Sequence, residues 1–226
     1  MSRNSIAGIV LVTFVAGASA CYAQPAHGPL PTPPQGVQIV SIDHQAVPDA
    51  FKARVKKKAL AMQTKDVLDA EDNEVPDFEA VVADVGKKLR PFDATLVDTL
   101  LHIRPANLER SSLSGAKVIG AHEGGTKLPT GWTGLTRVIA APALGKIVLD
   151  ELDYVASGSG FALTKEMLNA DVNGNPATAV SLRTRGNRTM TTVTWVTLNK
   201  RYRLRAKPVG HDVKEKLLEI ARSIHD

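Results

Sequence analysis

The chain has 226 residues and a formal net charge of +5, with 43% hydrophobic and 23% charged residues, which matches an ordinary globular protein of one main domain. Aromatic residues make up only 4% of the chain, so its core must consist mainly of aliphatic side chains. The excess of positive charge is too small to indicate a nucleic-acid partner. We therefore expect a globular protein that does not bind nucleic acid.

The N-terminus has the pattern of an export signal. Arg3 supplies a positive charge, residues 6–16 form an apolar run, and residues 17–20 are small, as at a signal-peptide cleavage site. An uncleaved membrane anchor is the alternative, but the apolar run is well short of the roughly 20 residues that span a bilayer. The pattern predicts a signal peptide over residues 1–23 and a location in the periplasm or outside the cell.

Cys21 leaves two forms of processing open. Residues 18–21 resemble the lipobox of bacterial lipoproteins, although that family prefers Leu where Ala18 stands. The resemblance implies that Cys21 is a candidate for lipidation, with membrane association through a lipid anchor and an outer-membrane lipoprotein as the result. Soluble release after Ala20 or Ala23 is the favoured reading, and cutting after Ala23 removes the only cysteine.

Residues 24–36 form a Pro-rich tether, and residues 37–112 are predicted to be largely helical. Residues 36–42 are compatible with a short edge strand. Helical spacing of apolar residues then begins near Phe51 and resumes after Pro76, while Asp93 is placed to cap a third helix. Lysines dominate the first of these helices and acidic residues dominate the connector that follows it, so the two segments are expected to pair. Attraction of the lysine cluster to a membrane surface is the alternative.

Residues 113–226 are predicted to form an antiparallel sheet with a C-terminal helix. Its first strands are expected at residues 116–121, 135–141 and 146–155. Residues 121–134 contain four glycines and a proline, which predicts a long loop. Trp132 lies in this loop, where it would either bind a partner or fold back against the end of the sheet.

The C-terminal segment predicts a three-stranded meander closed by a helix. Asn173 and Gly174 form a dipeptide typical of a type I′ hairpin turn. Strands are expected at residues 177–184, 189–198 and 201–206, and Asp212 with Glu215 has the spacing of a helix capping box. The fold class predicted for the whole chain is therefore α+β, with an N-terminal helical part followed by an antiparallel β-sheet packed by a C-terminal helix.

Motifs that carry chemistry are few. His122 and Glu123 form a His-acid pair but lack the second histidine of a helical zinc site. Ser157 and Ser159 lie in a Gly-rich turn that lacks the lysine of a phosphate-binding loop. We therefore assign no catalytic residue, metal or cofactor, and keep a periplasmic hydrolase using His122 with one of these serines as the alternative.

The most suggestive surface is a row of three arginines on one strand. The period of two sends Arg201, Arg203 and Arg205 to one face of the sheet, and Tyr202 and Leu204 to the other. We call these three arginines the arginine ladder. Guanidinium groups bind phosphate and carboxylate groups bidentately, so the ladder is a candidate binding surface for an anionic envelope component or an acidic protein. A solvated face kept soluble by charge is the alternative.

The C-terminal part also resembles a small uncharacterised domain of bacterial envelope lipoproteins and anti-sigma-factor-associated proteins. The resemblance rests on residues 172–177, Gly186, residues 192–195, residues 202–204 and residues 217–224, which lie within a span of about a quarter of the chain. It implies an accessory or binding domain and supplies no catalytic residue. The sequence thus predicts a non-enzymatic envelope binding protein, with the hydrolase, or an inhibitor or immunity-type module using Trp132, as alternatives.

Overall fold

The computed structural model describes residues 36–141, 144–208 and 212–225. The predicted signal peptide, Cys21 and nearly all of the Pro-rich tether lie outside these residues. The strands are β1 Val37–Val40, β2 Leu68–Ala70, β3 Lys117–Leu128, β4 Gly131–Ala141, β5 Gly145–Asp153, β6 Phe161–Thr164, β7 Ala170–Val172, β8 Asn175–Thr184, β9 Thr189–Val196 and β10 Lys200–Ala206. The α-helices are α1 Asp49–Thr64, α2 Phe78–Gly86, α3 Ala94–Leu100 and α4 Val213–Ser223.

Eight of these strands form one sheet. Its order is β2-β8-β9-β10-β5-β4-β3, and β7 forms a hairpin with β8 beside this path. All pairings are antiparallel except that of β2 with β8. Strands β1 and β6 form a separate parallel pair. Strand β10 therefore lies in the middle of the large sheet, between β9 and β5.

Each face of the sheet is covered by different elements. One face, which we call the α4 face, packs against α4 and the chain around Ala106 and Leu113. Trp195 and Tyr202 stack on this face with ring centroids 4.8 Å apart, at the centre of the largest apolar cluster. The opposite face carries the arginine ladder, and we call it the ladder face. Side chains of α1 and α2 cover its aliphatic part.

The predicted fold class is wrong. Strands account for 40% of the described residues and helices for 28%, so the protein is mainly a large sheet with four helices around it. The N-terminal segment supplies only three of these helices, and two of them have nine residues or fewer. It also supplies β1 and β2, which pair with β6 and β8 from far along the chain. Local periodicity cannot show pairing between segments so distant in sequence.

The long loop predicted at residues 121–134 is also wrong, because these residues form most of the β3–β4 hairpin. The glycines allow close contact between backbones. A Cβ on Gly131, whose φ is +122°, would lie 2.7 Å from backbone atoms of Leu101 and His102. A Cβ on Gly134 would lie 3.0 Å from the backbone of Gly124 on the neighbouring strand. The glycines of this segment therefore indicate a bulged strand that other backbone segments approach closely.

The predicted C-terminal meander is confirmed as β8, β9 and β10. Asn173 and Gly174 both have positive φ, 53° and 79°, as the hairpin turn requires. The capping box at the start of α4 is wrong. Asp212 precedes the helix with φ of 63°, and its side chain makes no capping hydrogen bond.

Candidate functional site

The arginine ladder lies on β10, where alternation separates two kinds of side chain. Lys200, Tyr202, Leu204 and Ala206 are buried, whereas the three arginines between them are partly exposed. The Arg203 side chain retains 38% of its accessible surface and that of Arg205 retains 13%. The predicted separation of the two faces is therefore confirmed. The ladder, however, is a half-buried strip in mid-sheet and not a fully solvated face.

Asp150 on β5 is the acidic partner of the ladder. Arg203 Nε donates a 3.0 Å hydrogen bond to Asp150 Oδ2, and Arg205 Nη2 donates one of 2.8 Å to the same oxygen. The Thr136 hydroxyl donates to Asp150 Oδ1 over 2.8 Å. Three positive charges therefore face one carboxylate, which leaves an excess of two positive charges in a half-buried strip.

Arg201 is held without an ion pair among the described residues. Its guanidinium carbon lies 5.5 Å from the centroid of the Phe161 ring, in cation–π geometry. The Nε atoms of Arg201 and Arg205 are buried and have no hydrogen-bond partner in the described part of the chain. A buried donor without an acceptor costs about 1–3 kcal/mol, and because a ligand cannot reach these Nε atoms from solvent, an anion would bind the other guanidinium N–H groups.

Strand register extends the site into a row of polar side chains across the ladder face. Residues paired across neighbouring strands point to the same face of a sheet. Following the pairing from β3 to β8 gives one row, which we call the polar row: His122, Thr136, Asp150, Arg203, Thr194 and Thr178. Arg201 and Arg205 flank this row on β10. The Thr136 and Thr178 hydroxyls already donate to Asp150 and to the Met167 carbonyl, so Thr194 is the member of the row that can offer a hydroxyl donor beside the guanidinium groups.

The pKa values reflect the mixture of burial and charge in this site. Burial raises the pKa of Asp150, but the charges of Arg205 and Arg203 and the Thr136 hydrogen bond outweigh it, so the pKa lies below the usual value. Burial lowers the pKa of Arg201, and the neighbouring charge of Arg203 lowers it further. Burial also lowers the pKa of Arg205, against the opposing effect of Asp150. The usual pKa of arginine lies far above neutral pH, so Arg201 and Arg205 stay charged despite this lowering.

Asp150→Asn should make the protein less stable in neutral solution but not in acid. The depressed pKa of Asp150 contributes stability above its unfolded-state pKa of about 4, and that contribution is lost as pH falls through the folded-state pKa. In urea unfolding at about pH 7, the free energy of unfolding of the variant should be lower than that of the parent by on the order of 1–3 kcal/mol. This difference should become smaller below about pH 4. Asp98→Asn, at an exposed position on α3, is the control. An equal loss of unfolding free energy at both pH values would contradict the conclusion that the charged Asp150 carboxylate stabilises the fold.

Trp132 lies on β4 and is half-buried. It packs against an apolar cluster that contains Leu96, Leu101 and Ile103. Its carbonyl accepts hydrogen bonds from the backbone N–H groups of His102 and Ile103. The indole thus folds back onto the protein, as in the second interpretation given by the sequence, and Lys127 Nζ lies 6.0 Å from its centroid.

The residues of the alternative hydrolase are held by local contacts. His122 Nδ1 donates to the Glu123 carbonyl over 2.6 Å, and Glu123 Oε1 lies 3.4 Å from Arg90 Nη2. The Ser157 hydroxyl donates to the Tyr154 carbonyl in the turn after β5. No contact among the described residues brings His122 to Ser157 or Ser159. In the same residues, no group of three or more His, Cys, Asp or Glu side chains is arranged to hold a metal ion.

Sequence reasoning missed Asp150 and the threonines of the polar row. Their signal was present in the alternation of β9, where Thr192 and Thr194 fall on the same face as the arginines. Asp150 could have been assigned to this face only with the β5–β10 register, which places it opposite Arg203. That register joins strands about 50 residues apart, and local patterns do not encode it.

Comparisons with protein-family models, with curated proteins and with solved structures found no match. The resemblance of the C-terminal part to an envelope domain therefore stays a prediction. Within the described ranges, none of the helices combines the length and the apolar character needed to cross a bilayer.

Proposed function

We propose that this chain is an exported envelope protein that binds an anionic group, without catalysis, through the arginine ladder. The observation that carries the proposal is the excess of two positive charges in a half-buried strip, where, among the described residues, Asp150 alone faces the three arginines. A strip that served only solubility would have its guanidinium groups in water, where their donors bind solvent. Arg205 instead keeps only 13% of its side-chain surface, while Arg203 keeps 38% and can be reached by a ligand.

The chemistry of the ladder suits phosphate and carboxylate groups. Arginine presents a planar fork of N–H donors that grips two oxygens of one anion, and partial burial strengthens such charge-assisted hydrogen bonds. Thr194 can add a hydroxyl donor along the same row, whereas the Thr178 hydroxyl already donates to the Met167 carbonyl. In an envelope, the matching groups belong to phospholipid or lipopolysaccharide heads, to peptidoglycan peptides or to an acidic protein.

The N-terminal sequence supports the location. Residues 1–23 have the pattern of an export signal, and Cys21 is the candidate for lipidation if the mature chain begins there. The protein would then reside in the periplasm, be secreted, or be held at the outer membrane by acyl chains. Export would place the ladder among the anionic molecules that it is suited to bind.

Neutralising the ladder should abolish most salt-sensitive binding to envelope membranes. The ladder variant combines Arg201→Gln, Arg203→Gln and Arg205→Gln with Asp150→Asn, so that no buried carboxylate is left without a partner. Full-length protein produced in bacteria would be recovered from the envelope fraction, and intact mass would identify its N-terminus. Parent protein should detach as salt rises from about 0.05 M to 0.5 M, because screening shortens the reach of exposed charges.

A matched control removes the same net charge elsewhere. Lys57→Gln with Lys65→Gln also lowers the net charge by two, at exposed positions on and just after α1. This control should bind like the parent, whereas the ladder variant should remain unbound at low salt with an unchanged melting temperature. Equal binding by the ladder variant and the parent would reduce the ladder to a solvated face. Recovery of the chain with Met1 in the cytoplasm would contradict export.

A further inference from the structure

A second basic site lies at the edge of the same sheet. Where the chain leaves α2 it passes β3, and Arg90 forms a two-way backbone bridge with Ala121. A cleft of about 420 Å³ opens there. It is lined by Lys87, Lys88, Leu89, Arg90, His122 and Glu123. The lining carries three cationic side chains and one carboxylate, which again leaves an excess of two positive charges.

The two lysines are the groups of the cleft that can donate to an anion. Both are exposed, with Lys87 Nζ 4.0 Å from Asp84 Oδ1, while Arg90 Nη2 lies 3.4 Å from the Glu123 carboxylate. His122 donates its Nδ1 proton to the Glu123 carbonyl, so Nε2 of the neutral ring is an acceptor and adds no donor. Lysine side chains with three rotatable donors bind phosphate groups as point charges.

The cleft and the arginine ladder are joined by the polar row. His122 lines the cleft and is also the first member of that row, whose fourth member is Arg203. The two residues are separated by three strand spacings, which amounts to about 14 Å. The members between them are Thr136 and Asp150, whose carboxylate is already bound by two arginines. The path between the two basic sites therefore contains one neutralised acid and a hydroxyl group.

We propose that the cleft at the β3 edge is a second anion subsite, and that the ligand is an elongated polyanion whose charged groups reach both the cleft and the ladder. This inference rests on the proposed function of the ladder and specifies its ligand class. Two subsites on one rigid sheet face act at a high effective concentration toward a molecule long enough to span them. A ligand with a single anionic group gains nothing from the second site.

The test is a length series of linear phosphates, measured by calorimetry at constant low salt. Phosphate, pyrophosphate and tripolyphosphate are compared with a longer linear polyphosphate whose extended length exceeds the span of about 14 Å. The parent should bind the long chain on the order of 10²-fold more tightly than the short ones, because the second contact becomes intramolecular. The cleft variant, Lys87→Gln with Lys88→Gln, should keep the binding of short phosphates and lose this step in affinity.

Two further variants make the outcomes separable. The ladder variant should lose the binding of short phosphates, and the Lys57→Gln, Lys65→Gln control should behave like the parent although its net charge matches that of the cleft variant. The second subsite would be refuted if the cleft variant still bound the long chain much more tightly than the short phosphates. It would also be refuted if affinity rose smoothly with ligand charge in every variant. Neither result would contradict anion binding by the ladder. Failure of the parent to bind any phosphate would instead count against the proposed function.

Vesicles distinguish one elongated ligand from an array of separate charges. Phosphatidylglycerol vesicles present single phosphate groups on many molecules, whereas the long polyphosphate carries all of them on one chain. The parent should bind such vesicles more weakly, per phosphate, than it binds the long chain. Equal binding would show that a lateral array is sufficient and would contradict the need for an elongated molecule.

Discussion

Glu151→Gln should lower the free energy of unfolding by about 3–5 kcal/mol, the usual cost of breaking a buried ion pair from one side. Glu151 and Arg137 are 2% and 1% exposed, and Glu151 Oε2 accepts a 2.5 Å hydrogen bond from Arg137 Nη2. The amide would leave the guanidinium buried without a counter-charge. For a chain of this size the melting temperature should fall by roughly 10 °C.

The pair also fastens an irregular segment to the α4 face. Glu151 Oε1 accepts from the Ala106 backbone N–H over 2.8 Å, and Arg137 Nη2 donates to the Ala106 carbonyl over 3.1 Å. The Arg137 guanidinium carbon also lies 5.1 Å from the Phe92 ring centroid. Loss of the charge should therefore loosen the chain around Ala106 and make nearby Arg110 more susceptible to trypsin.

Adding Arg137→Met to Glu151→Gln provides the control. The double variant contains no buried charge at the position of this pair, and Gln can still accept from the Ala106 N–H. Replacing a buried ion pair by residues of similar size is often close to neutral, so the double variant should be more stable than Glu151→Gln alone. Urea unfolding of the parent, both single variants and the double variant would give the coupling free energy. If Arg137→Met added a further loss to Glu151→Gln, the ion-pair argument would be refuted.

The sequence predicted the local parts of this site and missed those that depend on strand order. The alternation of Arg201, Tyr202 and Arg203 required only the period of two. The role of Arg137 was not predicted, although an arginine within the apolar run of residues 135–141 is an unusual feature of a core strand. The period of two places Glu151 and Asp153 on the same face of a strand, which by itself indicates only an acidic pair or a solvent-facing position. The structure instead buries Glu151, and Asp153 accepts from the Ala156 N–H in the following turn.

The fold was predictable where turns and short-range periodicity determine it. Asn173, Gly174 and the three strands that follow have local signals, and the structure confirms them. The predicted helix content was too high because a few short amphipathic segments were taken to indicate helix throughout the N-terminal part. Charge patterning gave better guidance, since Lys58 pairs with Glu74 at 2.9 Å and Arg188 with Asp72 at 3.1 Å. These pairs join the acidic connector to α1 and to the turn before β9.

Ala221→Asp should be among the most damaging single substitutions in the chain. Ala221 lies on α4, is fully buried, and belongs to the apolar cluster that includes Trp195 and Leu217. An aspartate there must either bury its charge or take up a proton, and both cost free energy because the surrounding groups are apolar. We expect a loss of roughly 3 kcal/mol or more in urea unfolding.

Glu219→Asp tests whether that loss comes from burial and not from aspartate in a helix. Glu219 is exposed on the same helix, so this change carries only the difference in helix propensity, a few tenths of a kcal/mol. The Ala221→Asp loss should also shrink as pH falls, because protonation removes the buried charge, whereas the Glu219→Asp profile should follow the parent. Equal unfolding midpoints for Ala221→Asp and the parent would mean that α4 does not pack on the sheet through this face.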